Sequence, residues 1–166
     1  MLQSKYLTVR KLNYKDIPIV YNWIQNKRIS KFLSTEFRLQ KINLNMLKII
    51  TKKKDNQWYI FNYKKNKIGC VIIDSIDKND KIANLWYFLG EEIYLGNNLT
   101  FKAINKIFKK YKFKTNVMTA WTSSSNKSSI KLLRKLDFKK LGSIPNTFNI
   151  KKNYFNRVLF YKKINE

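Results

Sequence analysis

The 166-residue chain has no histidine, one cysteine, four glycines and two prolines, and ten acidic side chains stand against 35 basic ones. Each scarcity removes a class of function. Without histidine there is no Ser-His-Asp or Cys-His nucleophile and no His-rich metal site, so carboxylates, hydroxyls, tyrosine and backbone groups are left to carry any chemistry. Cys70 has no partner for an internal disulfide, and its place in the apolar run IGCVII reads as a small strand-core residue. The low glycine and proline counts exclude a collagen-like repeat, and no apolar run reaches the ~18 residues of a membrane-spanning helix. The first ten residues lack an apolar core followed by small residues. The chain therefore reads as unprocessed, soluble and cytoplasmic, with no membrane partner.

What is present argues for a packed domain. With 44% apolar and 15% aromatic residues, a chain of this length buries roughly 70% of its unfolded surface and forms one domain over residues 1–166. The formal charge of +25 is dominated by 30 lysines in a chain that also has 20 asparagines and 20 isoleucines. Only five cations are arginine, the residue that planar recognition of phosphate favours, so much of the charge reads as compositional background.

Residues 7–12 alternate like a short strand, after which Asp16 stands as a helix N-cap with Pro18 in the first turn. The helix it opens carries Ile17, Val20, Tyr21 and Ile24 inward, and the lysine-rich stretch beyond Ile24 ends it. Residues 42–54 form a second helix. Three strands follow at 57–63, 67–76 and 81–90, joined by polar turns into a meander. Residues 96–112 switch to helical period, with Leu99, Ala103, Ile107 and Tyr111 inward and Lys102, Lys106, Lys109 and Lys110 on the outer face. A strand at 115–123, a helix at 126–138 capped by Asn126, and a hairpin from 140–150 to 154–162 complete the chain. No linker or repeat divides the series.

This order resembles the GNAT family of acetyl-CoA-dependent N-acetyltransferases over nearly the whole chain. The most specific stretch is the last helix, where Asn126, Ser129, Leu132, Lys135 and Phe138 fall in register with the family pattern, and Asp137 stands where glycine is usual. Ser129 in the small-residue slot and Leu133 where many members carry tyrosine are similar to the branch holding ribosomal-protein N-terminal, spermidine and nucleotide-amino-sugar acetyltransferases. The segments VRKLNYKDIPIVYNWIQN and NTFNIKKNYFNRVLFY resemble it too. The resemblance implies an α/β (α+β) domain with a mixed, mostly antiparallel twisted sheet of about seven strands and about four helices.

It also implies acetyl-CoA as co-substrate and no metal. In the family the pyrophosphate meets a glycine-rich turn at a helix N-terminus. Here that register is filled by Leu95, Gly96, Asn97, Asn98, Leu99 and Thr100, with one glycine kept. Backbone N–H groups do the binding, and asparagine tolerates a left-handed φ, so Asn98 is expected to hold the turn. Residues 87–89 match the segment whose amide stabilises the oxyanion, which makes Phe88 and Leu89 cofactor contacts. Asn126 and Ser129 are implied on the pantetheine arm, and Ser129 also as a catalytic group. Asn84 occupies the strand position of a common catalytic glutamate, and Glu91 and Glu92 just beyond the strand are the carboxylates proposed as base. Trp23, Phe32 and Trp86 are placed in the acceptor pocket.

The acceptor is read as a small anionic amine such as a nucleotide-linked amino sugar, because a +25 body repels polyamines. A protein N-terminus and a catalytically impaired RNA- or ribosome-binding module are the alternatives, with a monomer or a homodimer as the assembly. Saturating acetyl-CoA should raise the melting temperature, adding about 2.7 kcal/mol at a hundred times its Kd. Steep salt-dependent RNA binding without that shift would identify the nucleic-acid module instead.

Overall fold

The computed structural model describes residues 3–164. β1 (Leu7–Lys11) leads through a 3-10 turn (Tyr14–Asp16) into α1 (Ile17–Gln25), the single-turn helices α2 (Lys27–Ser30) and α3 (Thr35–Arg38), and α4 (Leu44–Lys52). The meander β2 (Gln57–Tyr63), β3 (Asn66–Asp77) and β4 (Ile82–Leu89) follows. After it come α5 (Leu99–Lys110), β5 (Val117–Ser123), α6 (Lys127–Lys135) and the hairpin β6 (Lys139–Ile150) and β7 (Asn153–Lys163). One seven-stranded sheet runs in the order β1-β2-β3-β4-β5-β7-β6, antiparallel except where β4 meets β5. No helix among the described residues is long and apolar enough to cross a membrane.

Strand alternation sends two sets of side chains to opposite faces. Tyr59, Phe61, Val71, Ile73 and Leu85 pack with Leu99, Ala103, Ile104 and Ile107 of α5 and with Leu133 of α6. Trp58, Ile60, Cys70, Ile72 and Phe88 pack on the opposite face with Val20, Trp23 and Ile24 of α1 and Leu47 of α4. Cys70 is wholly buried, and burial pushes its thiol pKa up.

The helical layer differs from the sequence reading in two ways. α1 ends at Gln25 as expected, but the Asn26 side chain accepts from the Arg28 amide at 2.9 Å and starts a separate turn that the sequence reading did not contain. Among the described residues there are six α-helices rather than about four, because α2 and α3 are single turns too short to show a period. Asp16 stands at the N-cap position of α1 with Pro18 in the first turn, as expected, but its side chain makes no cap bond there. It is fully buried and takes both nitrogens of the Arg10 fork at 2.6 and 2.8 Å, the Lys67 ammonium at 2.9 Å and the Asn13 amide at 2.9 Å. One carboxylate thus ties β1 and β3 to the start of α1.

The lysines of α5 do more than face solvent. The alternation that pairs Tyr6 O with the Lys64 amide turns Leu7 and Val9 toward the free edge of β1. Lys106 and Lys110 donate to those two carbonyls at 2.9 and 3.4 Å. Four helix residues rise ~6 Å and two strand residues ~6.6 Å, so the spacings match, and a charged cover protects the edge.

Burial works to raise the Asp16 pKa, but the hydrogen bonds from Arg10 and Lys67 outweigh it and hold the carboxyl well below its ordinary range. A depressed pKa means a contribution fully present above the unfolded value of ~4 and lost as pH falls below it. Asp16→Asn should cost about 3 kcal/mol in denaturant unfolding near neutral pH and flatten the acid limb of the stability profile. An unchanged midpoint would remove the carboxylate from this role.

Candidate active site

β4 pairs with β5 only at Ile82–Val117, Ala83–Met118 and Asn84–Thr119. Beyond this β3 holds β4 as far as Leu89, and β7 holds β5 as far as Ser123, so the two strands are led apart. The Gly90 amide bonds Ile68 O at 2.7 Å. By alternation the amides of Tyr87 and Leu89, beyond the last β5 pairing at Asn84–Thr119, then point to the side that β5 has left. The result is a cleft of about 1200 Å³ that runs between α2–α3 and the N-termini of α5 and α6.

One half is built of backbone donors and cations. Leu95, Gly96, Asn97, Asn98, Leu99 and Thr100 all line it. Gly96 has φ +76°, and no atom lies within 4 Å of where a Cβ would stand. Asn98 caps α5 in a left-handed conformation (φ 55°, ψ 20°) and makes no side-chain bond to the helix, so the first amides are left for a ligand. Asn97 Nδ2 holds the loop by donating to Leu95 O at 3.0 Å. Lys131 and Lys135 flank the turn, and Lys135 Nζ reaches Asn98 Oδ1 at 3.4 Å. Unsatisfied amides at a positive dipole end, with lysines beside them, suit a polyphosphate. Asn126 caps α6 through the Ser129 amide, and Ser129 Oγ lies 2.9 Å from the Tyr87 phenol. Burial raises the Tyr87 pKa, so the phenol stays protonated. Leu133 is core.

The other half carries a carboxylate. Asp74, Asn84, Trp86, Thr119 and Trp121 share one sheet face, the cross-strand pairs Asp74–Asn84 and Asn84–Thr119 setting the row. Asp74 Oδ1 accepts from Asn84 Nδ2 at 3.0 Å and Oδ2 from Trp86 Nε1 at 2.8 Å. Partial burial raises its pKa against these two bonds. Trp86 packs on Trp58 at 5.1 Å and on Phe37 at 5.6 Å, and Phe32 joins the wall.

Phe88 and Leu89 line the cleft, but Trp23, Glu91 and Glu92 do not. Trp23 is buried against Phe88 and Gly90, where a Cβ would fall 2.2 Å from its indole, and its Nε1 donates to Glu91 Oε1 at 2.9 Å. Glu92 is exposed, 3.9 Å from Arg28 Nε. Sequence reading missed Asp74, which lies ten residues before Asn84 and meets it only through the meander register. It also missed the phenol that Tyr87 offers to Ser129.

A family model described as the acetyltransferase (GNAT) domain matches residues 6–139. The chain belongs to that family, the acetyl-CoA-dependent N-acetyltransferases. No curated protein matches it in sequence. Among solved structures it is similar to spermidine N-acetyltransferase from Vibrio cholerae with CoA and spermine (TM-score 0.81, 16% identity, 96% of each chain). It is also similar to an acetyltransferase from Salmonella typhimurium that modifies the N-terminal serine of ribosomal protein L7/L12 (0.79, 14%, 98% of this chain and 97% of that). A third is the microcin C7 self-immunity acetyltransferase MccE with acetyl-CoA and AMP (0.75, 18%, 95% and 92%). At these identities the likeness is one of fold.

Asn98 is the sharpest point of the turn. Asn98→Gly should relieve the left-handed strain and lower the Kd for CoA, whereas Asn98→Val should cost about 1–2 kcal/mol of stability and weaken CoA binding. Calorimetric titration and thermal melts read both effects, and equal Kd values for the two variants would take the turn out of cofactor binding.

Proposed function

We propose that the protein transfers the acetyl group of acetyl-CoA to the primary amine of a small molecule by direct attack in a ternary complex, with Asp74 as the proton acceptor. The observation that carries this reading is a carboxylate with a raised pKa, held on two hydrogen bonds in an aromatic wall of the cleft that the open end of α5 also enters.

A protonated amine is drawn to a carboxylate against aromatic faces. Loss of its proton to Asp74, directly or through a water, frees the nitrogen lone pair to attack the thioester carbon. The oxyanion is stabilised by the amide of Tyr87 or Leu89 on the open side of β4. The C–S bond breaks, the thiolate takes a proton from the Tyr87–Ser129 hydroxyl pair, and the pair regains one from the attacking nitrogen, which leaves the neutral amide and CoA thiol. CoA lies along Gly96–Thr100 and Asn126. Asn84 and Trp86 position Asp74, Phe32 and Phe37 bound the acceptor, and Trp23 with Glu91 backs the wall. An anionic acceptor suits the +25 charge, and the similar MccE structure holds AMP beside acetyl-CoA.

Asp74→Asn should lower kcat by about a hundredfold or more and abolish the acid limb of the pH–kcat/KM profile. A carboxylate whose folded pKa is raised costs stability when ionised at neutral pH, so the same change should leave the melting temperature equal or higher. Glu91→Gln and Glu92→Gln serve as comparison. If either loses turnover while Asp74→Asn keeps it, the base is at the strand end and not on β3.

A further inference from the structure

Two of the five arginines stand next to the acceptor half of the cleft without a counter-ion among the described residues. Arg38, at the end of α3, lies over the Phe148 ring with Cζ 4.2 Å from its centroid, and Arg157 of β7 lies over Trp121 at 4.6 Å. The two rings are themselves 5.8 Å apart. Trp121, on the same sheet face as Asp74, lines the cleft, as does Phe37 of α3, and Arg38, Phe148 and Arg157 stand next to these two residues without lining it themselves.

Neither guanidinium has a salt-bridge partner among the described residues. Arg38 donates one bond, to Thr35 Oγ1 at 3.0 Å, while its Nη1 and the Nε of Arg157 are buried with no acceptor. Burial and then the like charge of Arg157 lower the Arg38 pKa, and the exposed Glu36 opposes them weakly. Buried donors on two like charges are costly unless an acceptor of opposite charge completes them. Stacking fixes each planar fork, which leaves its edge N–H groups to chelate an oxyanion.

We propose that Arg38 and Arg157, on the platform of Phe148 and Trp121, bind a phosphate carried by the acceptor, so that the substrate is a phosphorylated primary amine whose nitrogen reaches Asp74. This rests on the acetyl-transfer reading above and adds to it the substrate class and the two residues that select it. The arrangement supports the division: Asp74 lies on the cleft floor, Arg38 and Arg157 stand next to the wall residues Phe37 and Trp121, and Lys131 and Lys135 flank the separate α5 turn.

The test uses matched amines, glucosamine 6-phosphate against glucosamine and O-phosphoethanolamine against ethanolamine, with spermidine as the cationic competitor. CoA release is followed for the full chain and for Arg157→Gln, Arg157→Lys and the Arg38→Gln/Arg157→Gln double variant. The native chain should favour each phosphorylated amine at least tenfold in kcat/KM, chiefly through KM. That ratio should fall to about one in the double variant and partway in Arg157→Lys, which keeps the charge but loses the fork. Melting temperatures read in saturating CoA, with the cofactor's phosphate site filled, should rise with glucosamine 6-phosphate in the native chain and not in the double variant.

A preference that survives the double substitution, an absent preference in the native chain, or a preference for spermidine would overturn the proposal. If no amine is acetylated yet the arginine-dependent thermal shift persists, the anion site stands and the reaction assigned to it falls. A double variant that melts well below the native chain would show that the pair is structural, because removing two uncompensated like charges should not destabilise the fold.

Discussion

β4 is held by β3 along its whole length and by β5 for three residue pairs only. The release of that second edge is the constraint on which the site depends. A released strand edge in a core would be a set of unsatisfied amides, which a folded protein ordinarily avoids. Here the edge faces a cleft, where an extended ligand can take the place of the missing strand. The same release separates α5 and α6 from α2 and α3, so that two helix N-termini look across at an aromatic wall. Geometry that would be a defect in a storage fold becomes a binding slot because the strands around it are held elsewhere: β1 by the lysines of α5, and β4 and β5 by their outer neighbours.

The charge then resolves into parts with different work. Lys106 and Lys110 cover a strand edge, Lys67 and Arg10 neutralise the buried Asp16, and Lys131 and Lys135 flank the α5 turn. What looks in the composition like a uniform field is a set of local assignments on top of a lysine-rich background. The arginines stand apart from that background, since Arg10, Arg28, Arg38 and Arg157 are each engaged with a carboxylate, a strand-end carbonyl or an aromatic face. Planar, weakly hydrated guanidinium is retained where geometry matters, even in a chain that otherwise uses lysine.

Much of the fold was legible because its signals are local. The strand at 57–63 matches β2 residue for residue, and Asn126 caps α6 as its place before the helix suggests. Asn98 takes the left-handed turn expected of it. The misreadings share a cause, which is that the deciding partner is distant in sequence. Asp16 looks like a cap until Arg10 and Lys67 are seen to converge on it, and Lys106 looks solvated until β1 is placed under it. Single-turn helices carry no period at all, so α2 and α3 leave no trace in a pattern search.

The same limit explains the carboxylates. Glu91 and Glu92 draw notice by standing at the end of the strand that opens the cleft, but residues at a strand end follow the chain as it leaves the sheet. Glu91 turns back to the Trp23 indole and Glu92 to solvent near Arg28. A carboxylate that is to face a ligand in a sheet-floored cleft must come from the floor, and its neighbours across the strands must be donors if it is to stay ordered while partly buried. Asp74 meets both conditions, with Asn84 on one oxygen and Trp86 on the other. Two neutral donors orient it without a cation to depress its pKa, which suits the role proposed for it of taking a proton from an incoming ammonium. Asn84, which as an amide cannot serve as base, is well suited to holding one.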